Sequence, residues 1–214
     1  MFDRVVVIEH PYRPERLEAF WGRLPFDWPF PQPVPVRGVD GRRCLAPSWW
    51  RGSPAAWGAT AAHHRAIEWG LSSGSRSLLV LEDDAVFVPD FSVAVLAVLS
   101  LVPNDVGMIY LGGQHLREAI SVNGGVVRCR NTNRAHAYGL VGPGMARAYE
   151  WLHAGEHWAR PHVVDHHYGR LHESGSLACY AARRWLVGQA EGWSDTEDEH
   201  KPERWWRDTR MGGE

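Results

Sequence analysis

The sequence predicts an α/β fold in which a mainly parallel sheet is flanked by helices on both faces. Two observations carry this prediction. Segments with strand and helix periodicity alternate along the first half of the chain, which is typical of parallel sheets. The apolar run Leu78–Leu81 is typical of a strand that is buried on both faces, as in the middle of such a sheet.

The first elements follow from local patterns. A strand is expected at Arg4–Ile8, and a helix over about 14–23, where apolar residues recur at helical spacing. Five prolines between positions 25 and 35 indicate an irregular connection. A second strand is expected at Val34–Val39, and it ends in Asp40-Gly41, a turn signal.

The alternation continues through the middle of the chain. Ser53 and Pro54 are the residue types that begin helices, so a helix is expected from there to about Leu71. The apolar strand follows, then a helix over about 89–101 and a strand at Val106–Leu111. These elements complete a β-α-β-α-β pattern.

The pattern changes after residue 112. Val122–Val126 resembles a hairpin turn, and Ala135–Val141 is expected to form another strand. Helices are expected at Gly144–His153 and Val163–His172, followed by a short strand at Leu177–Tyr180. Without repeats or a clear linker, one compact domain over residues 1–214 is the simplest prediction.

Composition narrows the class of protein. The formal charge of −2 gives no reason to expect a broad electrostatic grip on nucleic acid or anionic membrane. The three cysteines include no close-spaced pair, which favours a reducing, cytoplasmic setting over a disulfide framework or a cysteine-based zinc site. No apolar stretch is long enough to suggest a transmembrane helix.

Three carboxylates, Glu82, Asp83 and Asp84, directly follow the buried strand. They fall at its carboxyl edge, where open α/β sheets place ligands. Because clustered like charges are costly to bury without a cation, the pattern suits Mn²⁺ or Mg²⁺ completed by water and phosphate oxygens. Glu82 and Asp84 would share one side of the extended chain and Asp83 the other. Alternatively, the acids stabilise the start of the helix near Pro89.

Seven short segments occur in the order found in one enzyme family. They are Val7–Leu17, Val39-Asp40-Gly41, Gly58–His63, Leu81–Ala85, Ala137-Tyr138 with Gly144-Met145-Ala146, Val164-Asp165, and Gln189 with Ser194-Asp195. Together they resemble family-25 glycosyltransferases, which include lipooligosaccharide and collagen galactosyltransferases. The resemblance covers residues from about 5 to 195.

The resemblance implies a GT-A-like, Rossmann-type sheet with a small acceptor-side β/α portion. Residues 1–112 would bind the nucleotide sugar, 113–190 would form the acceptor side, and 191–214 would form a tail or lid. It also implies transfer of a sugar from a donor such as a UDP-sugar to an acceptor hydroxyl, with inversion, as in lipopolysaccharide biosynthesis. The expected donor-binding residues are Ile8, Glu9, Arg13, Arg16, Asp40, His63, Asp83, Gln189, Ser194 and Asp195.

Roles for individual residues leave alternatives open. Arg16 would contact diphosphate or base, or else pair with Glu15 on the helix surface. Asp40 would hold a ribose hydroxyl or only form a turn. Asp165 is the expected general base, or else a charge at a helix N-terminus. Glu82 and Asp84 are the expected metal ligands, with a third protein ligand possible among His166, His167 and His200.

Three other functions compete with this one. The acceptor could be a hydroxymethylated DNA base, with phosphates meeting arginines at positions 128, 130, 134, 183 and 184. The chain could be a non-catalytic module that binds sugar nucleotides or carbohydrates. A metal-dependent phosphohydrolase would also use clustered acids.

Overall fold

A computed structural model describes residues 2–153 and 163–206. The helices are α1 (Pro14–Arg23), α2 (Pro54–Ser72), α3 (Phe91–Leu101), α4 (Pro143–His153) and α5 (Val164–Glu173). The strands are β1 (Arg4–Glu9), β2 (Val34–Arg37), β3 (Ser77–Glu82), β4 (Ala85–Phe87), β5 (Met108–His115), β6 (Ile120–Ser121), β7 (Val126–Arg128), β8 (Thr132–Val141), β9 (Cys179–Ala182), β10 (Val187–Gln189), β11 (Gly192–Ser194) and β12 (Glu199–Lys201). The expected helix over 89–101 begins two residues later, with Asp90 as its N-cap.

The main sheet has the strand order β2-β1-β3-β8-β5-β9-β7-β6. Strands β1, β2, β3, β5, β6 and β9 run in one direction, and β7 and β8 run against them. The predicted mainly parallel α/β sheet is therefore confirmed. The sequence pattern did not indicate that β8 would enter antiparallel between β3 and β5. That position suits β8, because eight of its ten residues are buried.

Helices cover both faces of the sheet, as alternate residues of β3 demonstrate. Leu78 and Val80 belong to a core with side chains of α2, α4 and α5. Leu79 and Leu81 belong to a second core with side chains of α1 and α3. The four side chains are fully buried, so the strand is covered on both faces, as its apolar run predicts. This central strand carries the acidic residues.

Two glycines, Gly41 and Gly58, allow the turn after β2 to pack closely against the start of α2. A Cβ atom on Gly58 would lie 2.4 Å from the Val39 carbonyl oxygen and 2.6 Å from the Gly41 nitrogen. Real Cβ atoms essentially never come so close. The first turn of α2 therefore packs directly against the turn that follows β2, and this contact places Asp40 beside the helix that carries His63.

Candidate functional site

A cleft of about 1300 Å³ opens at the carboxyl ends of β1 and β3. Its walls come from the turn after β1, the first half of α2, the acidic turn between β3 and β4, the start of β8, the start of α5 and the segment 189–204. Every residue that the sequence analysis assigned to donor, metal or base lines this cleft: Ile8, Glu9, Arg13, Arg16, Asp40, His63, Glu82, Asp83, Asp84, Asp165, Gln189, Ser194 and Asp195. The fold thus brings together residues from distant parts of the chain.

Glu82 ends β3, Asp83 and Asp84 form the turn to β4, and α3 begins only at Phe91. Their alternative role as charges in the first turn of a helix is therefore wrong. The Gln189 side-chain amide lies 3.4 Å from Glu82 Oε2 and 3.4 Å from Asp84 Oδ2, so these two carboxylates face one another across it. Asp83 instead accepts a hydrogen bond of 2.8 Å from the backbone N–H of His10.

Arg16 is the cation that faces these acids. Its Nη2 atom lies 2.6 Å from Asp83 Oδ1 and 3.3 Å from Asp84 Oδ2. Burial by itself lowers the pKa of Arg16, but the acids outweigh this and raise it. Arg23, from the last turn of α1, donates to the backbone carbonyls of Asp83 and Ala85. Helix α1 therefore supplies Arg16, which pairs with the carboxylates of the acidic turn, and Arg23, which binds its backbone carbonyls.

One carboxylate of the turn remains incompletely satisfied. Burial, and next the charge of Glu82, raise the pKa of Asp84 to about 7, although Arg16 opposes this. Among the described residues, the enclosed Asp84 Oδ1 atom has no hydrogen-bond partner. An enclosed, unpaired oxygen beside a second carboxylate fits a divalent cation that binds few protein ligands.

The other expected metal ligands do not join this pair. Among residues 2–153 and 163–206, no group of three or more histidine, cysteine, aspartate or glutamate side chains is arranged to hold a metal. His167 is buried within α5, His200 is exposed on β12, and His166 Nε2 lies 3.4 Å from Asn133 Nδ2. Of the expected ligands, Glu82 and Asp84 are therefore the two that lie together here, both beside the Gln189 amide.

A buried hydrogen-bond chain holds Glu82. His63 Nε2 lies 3.1 Å from Glu82 Oε1, and His63 Nδ1 lies 3.0 Å from the Tyr138 hydroxyl, which lies 3.0 Å from the Tyr168 hydroxyl. Burial alone raises the pKa of Glu82, but favourable interactions, chiefly the hydrogen bond with His63, outweigh it and lower that pKa. The chain therefore fixes an ionised carboxylate at the end of β3.

The hairpin of β11 and β12 forms a further part of the cleft wall. Asp195 in this hairpin pairs with Arg13 Nη2 at 3.0 Å and with His10 Nε2 at 3.1 Å. Ser194 Oγ lies 3.2 Å from Thr196 Oγ1 and thus forms a local turn contact. The expected lid continues through 207–214, which lie outside the described residues.

Asp40 and Asp165 both have local structural partners. Asp40 accepts a hydrogen bond of 2.9 Å from the Arg42 N–H, as expected of a turn residue. Asp165 lies in the first turn of α5 and accepts from the N–H groups of His166, at 2.9 Å, and Arg134, at 3.4 Å. Since both side chains also line the cleft, each geometry suits the structural role and leaves the functional one open.

Three of the arginines expected to meet DNA phosphates have identified surroundings in the structure. Arg183 donates to Ser121 and Asn123, and Arg184 pairs with Asp90. Arg134 instead lines the cleft beside Asp165.

Sequence reasoning missed several residues of the site. Arg134 was considered only as a phosphate contact, Trp206 only as a ring that could stack on a sugar or nucleobase, and His136 was given no role. His136 is fully buried, which lowers its pKa, and Nε2 lies 3.1 Å from the Val187 carbonyl oxygen. Trp206 donates to Gln189 Oε1 at 3.2 Å. Polar residues at alternate positions of an otherwise apolar strand were the available signal for Arg134 and His136.

Among the described residues, no helix has the length and apolar character needed to cross a membrane. No protein-family model matches the chain, and no curated protein sequence matches it. The similarity to family-25 glycosyltransferases therefore remains a resemblance in short motifs.

Several solved structures are similar in fold. A mannose-1-phosphate geranyltransferase from Thermus thermophilus is 15% identical with a TM-score of 0.49, over 86% of this chain and 75% of that one. A197 from STIV is 12% identical with a TM-score of 0.46, over 98% of each chain. An apo-UDP-glucose pyrophosphorylase is 8% identical with a TM-score of 0.44, over 84% of this chain and 72% of that one. Similarities this weak carry no functional conclusion.

Proposed function

We propose that this protein is a metal-dependent glycosyltransferase that transfers a sugar from a nucleotide-sugar donor, such as a UDP-sugar, to an acceptor hydroxyl. The observation that carries the proposal is the pair Glu82 and Asp84 at the carboxyl edge of the sheet. Both face a cleft of about 1300 Å³, and one enclosed oxygen of Asp84 lacks a partner among the described residues. The proposed base Asp165 lines the same cleft.

The proposed reaction breaks the bond between the anomeric carbon of the sugar and a diphosphate. Glu82 and Asp84 would hold Mn²⁺ or Mg²⁺, which when bound supplies positive charge for the departing diphosphate. His63 and Gln189 keep the two carboxylates in position, since they contact them directly. Arg13, once released by Asp195, would offer its planar guanidinium to a phosphate group.

Asp165 would accept the proton of the acceptor hydroxyl while that oxygen attacks the anomeric carbon. A carboxylate is the usual base for such a step. The N–H groups of Arg134 and His166 donate to the two carboxylate oxygens of Asp165 and so hold that side chain in place. Attack opposite the departing diphosphate would invert the anomeric centre.

The contact of Arg16 with Asp83 and Asp84 favours a second candidate, a non-catalytic sugar-nucleotide-binding module. An arginine that neutralises the acids makes a metal ion unnecessary for keeping them buried. In that case the cleft would bind its ligand equally well in the presence of a chelator. Metal dependence therefore separates the two candidates.

The deciding experiment measures thermal unfolding with a panel of UDP- and GDP-sugars, with Mn²⁺, Mg²⁺ or EDTA. A ligand at 100 times its Kd stabilises the native state by about 2.7 kcal/mol, which raises the Tm of a chain of this size by roughly 5–10 °C. We expect this shift for one nucleotide and only with metal, and we expect Asp84→Asn to abolish it. The control Asp90→Asn alters an exposed carboxylate outside the cleft and should keep the full response.

Release of free nucleotide and glycosylated product then tests turnover. Equal stabilisation in EDTA, with no turnover, would replace the transferase by the binding module. Stabilisation by none of the nucleotide sugars would reject both candidates. A metal-dependent response that survives Asp84→Asn would remove Asp84 from the metal site.

A further inference from the structure

Two guanidinium groups lie against the same indole at the acceptor side of the cleft. The Arg134 guanidinium carbon lies 3.7 Å from the centroid of the Trp206 ring, and that of Arg204 lies 5.1 Å from it. Arg134 and Arg204 both line the cleft. The indole face attracts each cation, so Trp206 holds two like charges close together.

Neither guanidinium is well matched by a carboxylate. Within the part of the chain that the structure describes, Arg204 forms no ion pair, and its enclosed Nη2 atom has no hydrogen-bond partner. Arg134 reaches Glu197 only at 4.0 Å, and Lys201 already holds Glu197 at 2.6 Å. Enclosed donors without acceptors destabilise a site unless a ligand satisfies them.

The backbone around Arg134 has an uncommon conformation. Its φ angle is 73°, in the left-handed region that residues other than glycine rarely adopt. Strain of this kind persists where the surroundings demand one side-chain placement, and it is frequent at ligand sites. Here it coincides with a hydrogen bond of 3.4 Å from the Arg134 N–H to Asp165 Oδ2, so Arg134 lies immediately beside the proposed base.

Electrostatics agree with this geometry. Burial lowers the pKa of Arg134, Asp165 and Glu197 oppose this effect, and the nearby Arg204 adds to it. A bound anion between the two arginines would remove their mutual repulsion and satisfy the free Nη2 donor. Guanidinium groups bind carboxylates and phosphates in a planar, two-pronged manner.

We propose that Arg134 and Arg204, supported by Trp206, form a subsite for a carboxylate or phosphate group carried by the sugar substrate. The inference rests on the proposed function and adds that the sugar transferred, or the sugar that accepts it, is acidic. The group would lie beside Asp165, and Trp206 connects the subsite through Gln189 to the acids Glu82 and Asp84. Asp195 and its partners Arg13 and His10 are not part of this subsite.

The test measures binding of sugars that differ only in an acidic group, by titration calorimetry with the full chain. Glucuronate and glucose 6-phosphate are compared with glucose, in the presence of UDP and Mn²⁺, to examine the acceptor. UDP-glucuronate is compared with UDP-glucose to examine the donor sugar. We expect one of these pairs to show a preference of about tenfold or more for the acidic member, as charge-assisted hydrogen bonds allow.

Variants locate the source of the preference. Arg204→Gln and Arg134→Gln should each remove most of it without changing the affinity for the neutral sugar, and Arg204→Lys should restore part of it. Arg184→Gln is the matched control, because Arg184 pairs with Asp90 outside the cleft. Circular dichroism of each variant verifies that the native fold is kept.

Equal binding of acidic and neutral sugars in both pairs would overturn the subsite, as would a preference that survives Arg204→Gln and Arg134→Gln. Loss of UDP binding itself in these two variants would assign the arginines to the nucleotide diphosphate and also overturn it. If the native protein binds neither UDP nor GDP, the proposed function fails. In that case the affinities of the free acidic and neutral sugars, measured without nucleotide, test the subsite by themselves, and a preference for the acidic sugar supports it.

Discussion

Replacing Tyr138 by phenylalanine would interrupt the hydrogen-bond chain that holds Glu82. With His63 neutral, its Nε2–H donates to the ionised Glu82 and its Nδ1 accepts the Tyr138 hydroxyl proton. The Tyr138 oxygen then accepts from Tyr168. Tyr138→Phe therefore leaves two buried groups without partners: an acceptor on His63, which is 1% exposed, and a donor on Tyr168, which is fully buried.

The expected cost follows from this direction of donation. Each orphaned buried group costs about 1–3 kcal/mol, so the two groups left by Tyr138→Phe should lower the free energy of unfolding by roughly 2–6 kcal/mol. Tyr168→Phe removes only a donor to an oxygen that still donates to His63, and it should cost about 1 kcal/mol. In the double variant Tyr168 no longer presents an orphan, so the combined loss should be smaller than the sum.

Urea unfolding of the native protein and the three variants at pH 7 measures these differences. Tyr138→Phe should also bind Mn²⁺ about tenfold more weakly than the native protein does, because groups that orient metal ligands commonly contribute that much to the metal affinity. An unfolding free energy for Tyr138→Phe no lower than that for Tyr168→Phe would refute the assigned direction of donation. Strict additivity in the double variant would refute the coupling of the two hydroxyls.

Two further predictions concern acid sensitivity and the hairpin. Burial lowers the pKa of His172 to about 3 from its ordinary 6.5, so between pH 6.5 and pH 5 the unfolded chain takes up this proton and the native protein does not. The free energy of unfolding should therefore be lower at pH 5 than at pH 6.5 by roughly 2 kcal/mol from this group. His172→Leu should remove that contribution, and the exposed control His200→Gln should keep it. Asp195→Asn breaks the ion pairs with Arg13 and His10. It should strengthen UDP binding up to about fivefold, which corresponds to the energy of a partly exposed ion pair. If the affinity measured by calorimetry is unchanged or weaker relative to a Glu150→Gln control, Asp195 does not compete with the ligand.

Much of the parallel framework could be predicted from the sequence because its signals are local. The apolar run of β3 determines a strand covered on both faces, and the acids that follow it necessarily lie at its carboxyl end. Ser53 and Pro54 mark the start of α2, and the Ser53 side chain does accept from the Ala56 N–H. These features depend on residues only a few positions apart.

The remaining features depend on distant partners. Whether Arg16 points to solvent or to Asp83 depends on how α1 packs on the sheet, and no local pattern records that orientation. The entry of β8 beside β3 joins residues about 60 positions apart. The pairing of Asp195 with Arg13 spans an even longer separation. Side-chain alternation identified which acids face one another, but not which cation faces them.

The pairing of β4 with β10 has a consequence for synthesis. Residues 85–87 pair with residues 187–189, and the Asp84 carbonyl oxygen accepts from the Ala190 N–H at 2.7 Å. The acidic turn therefore lacks its last support until about 100 further residues have left the ribosome, a delay of roughly 5–20 s at ordinary elongation rates. During this interval the nascent chain already exposes three clustered negative charges, and Arg16, made earlier, is the group available to neutralise them.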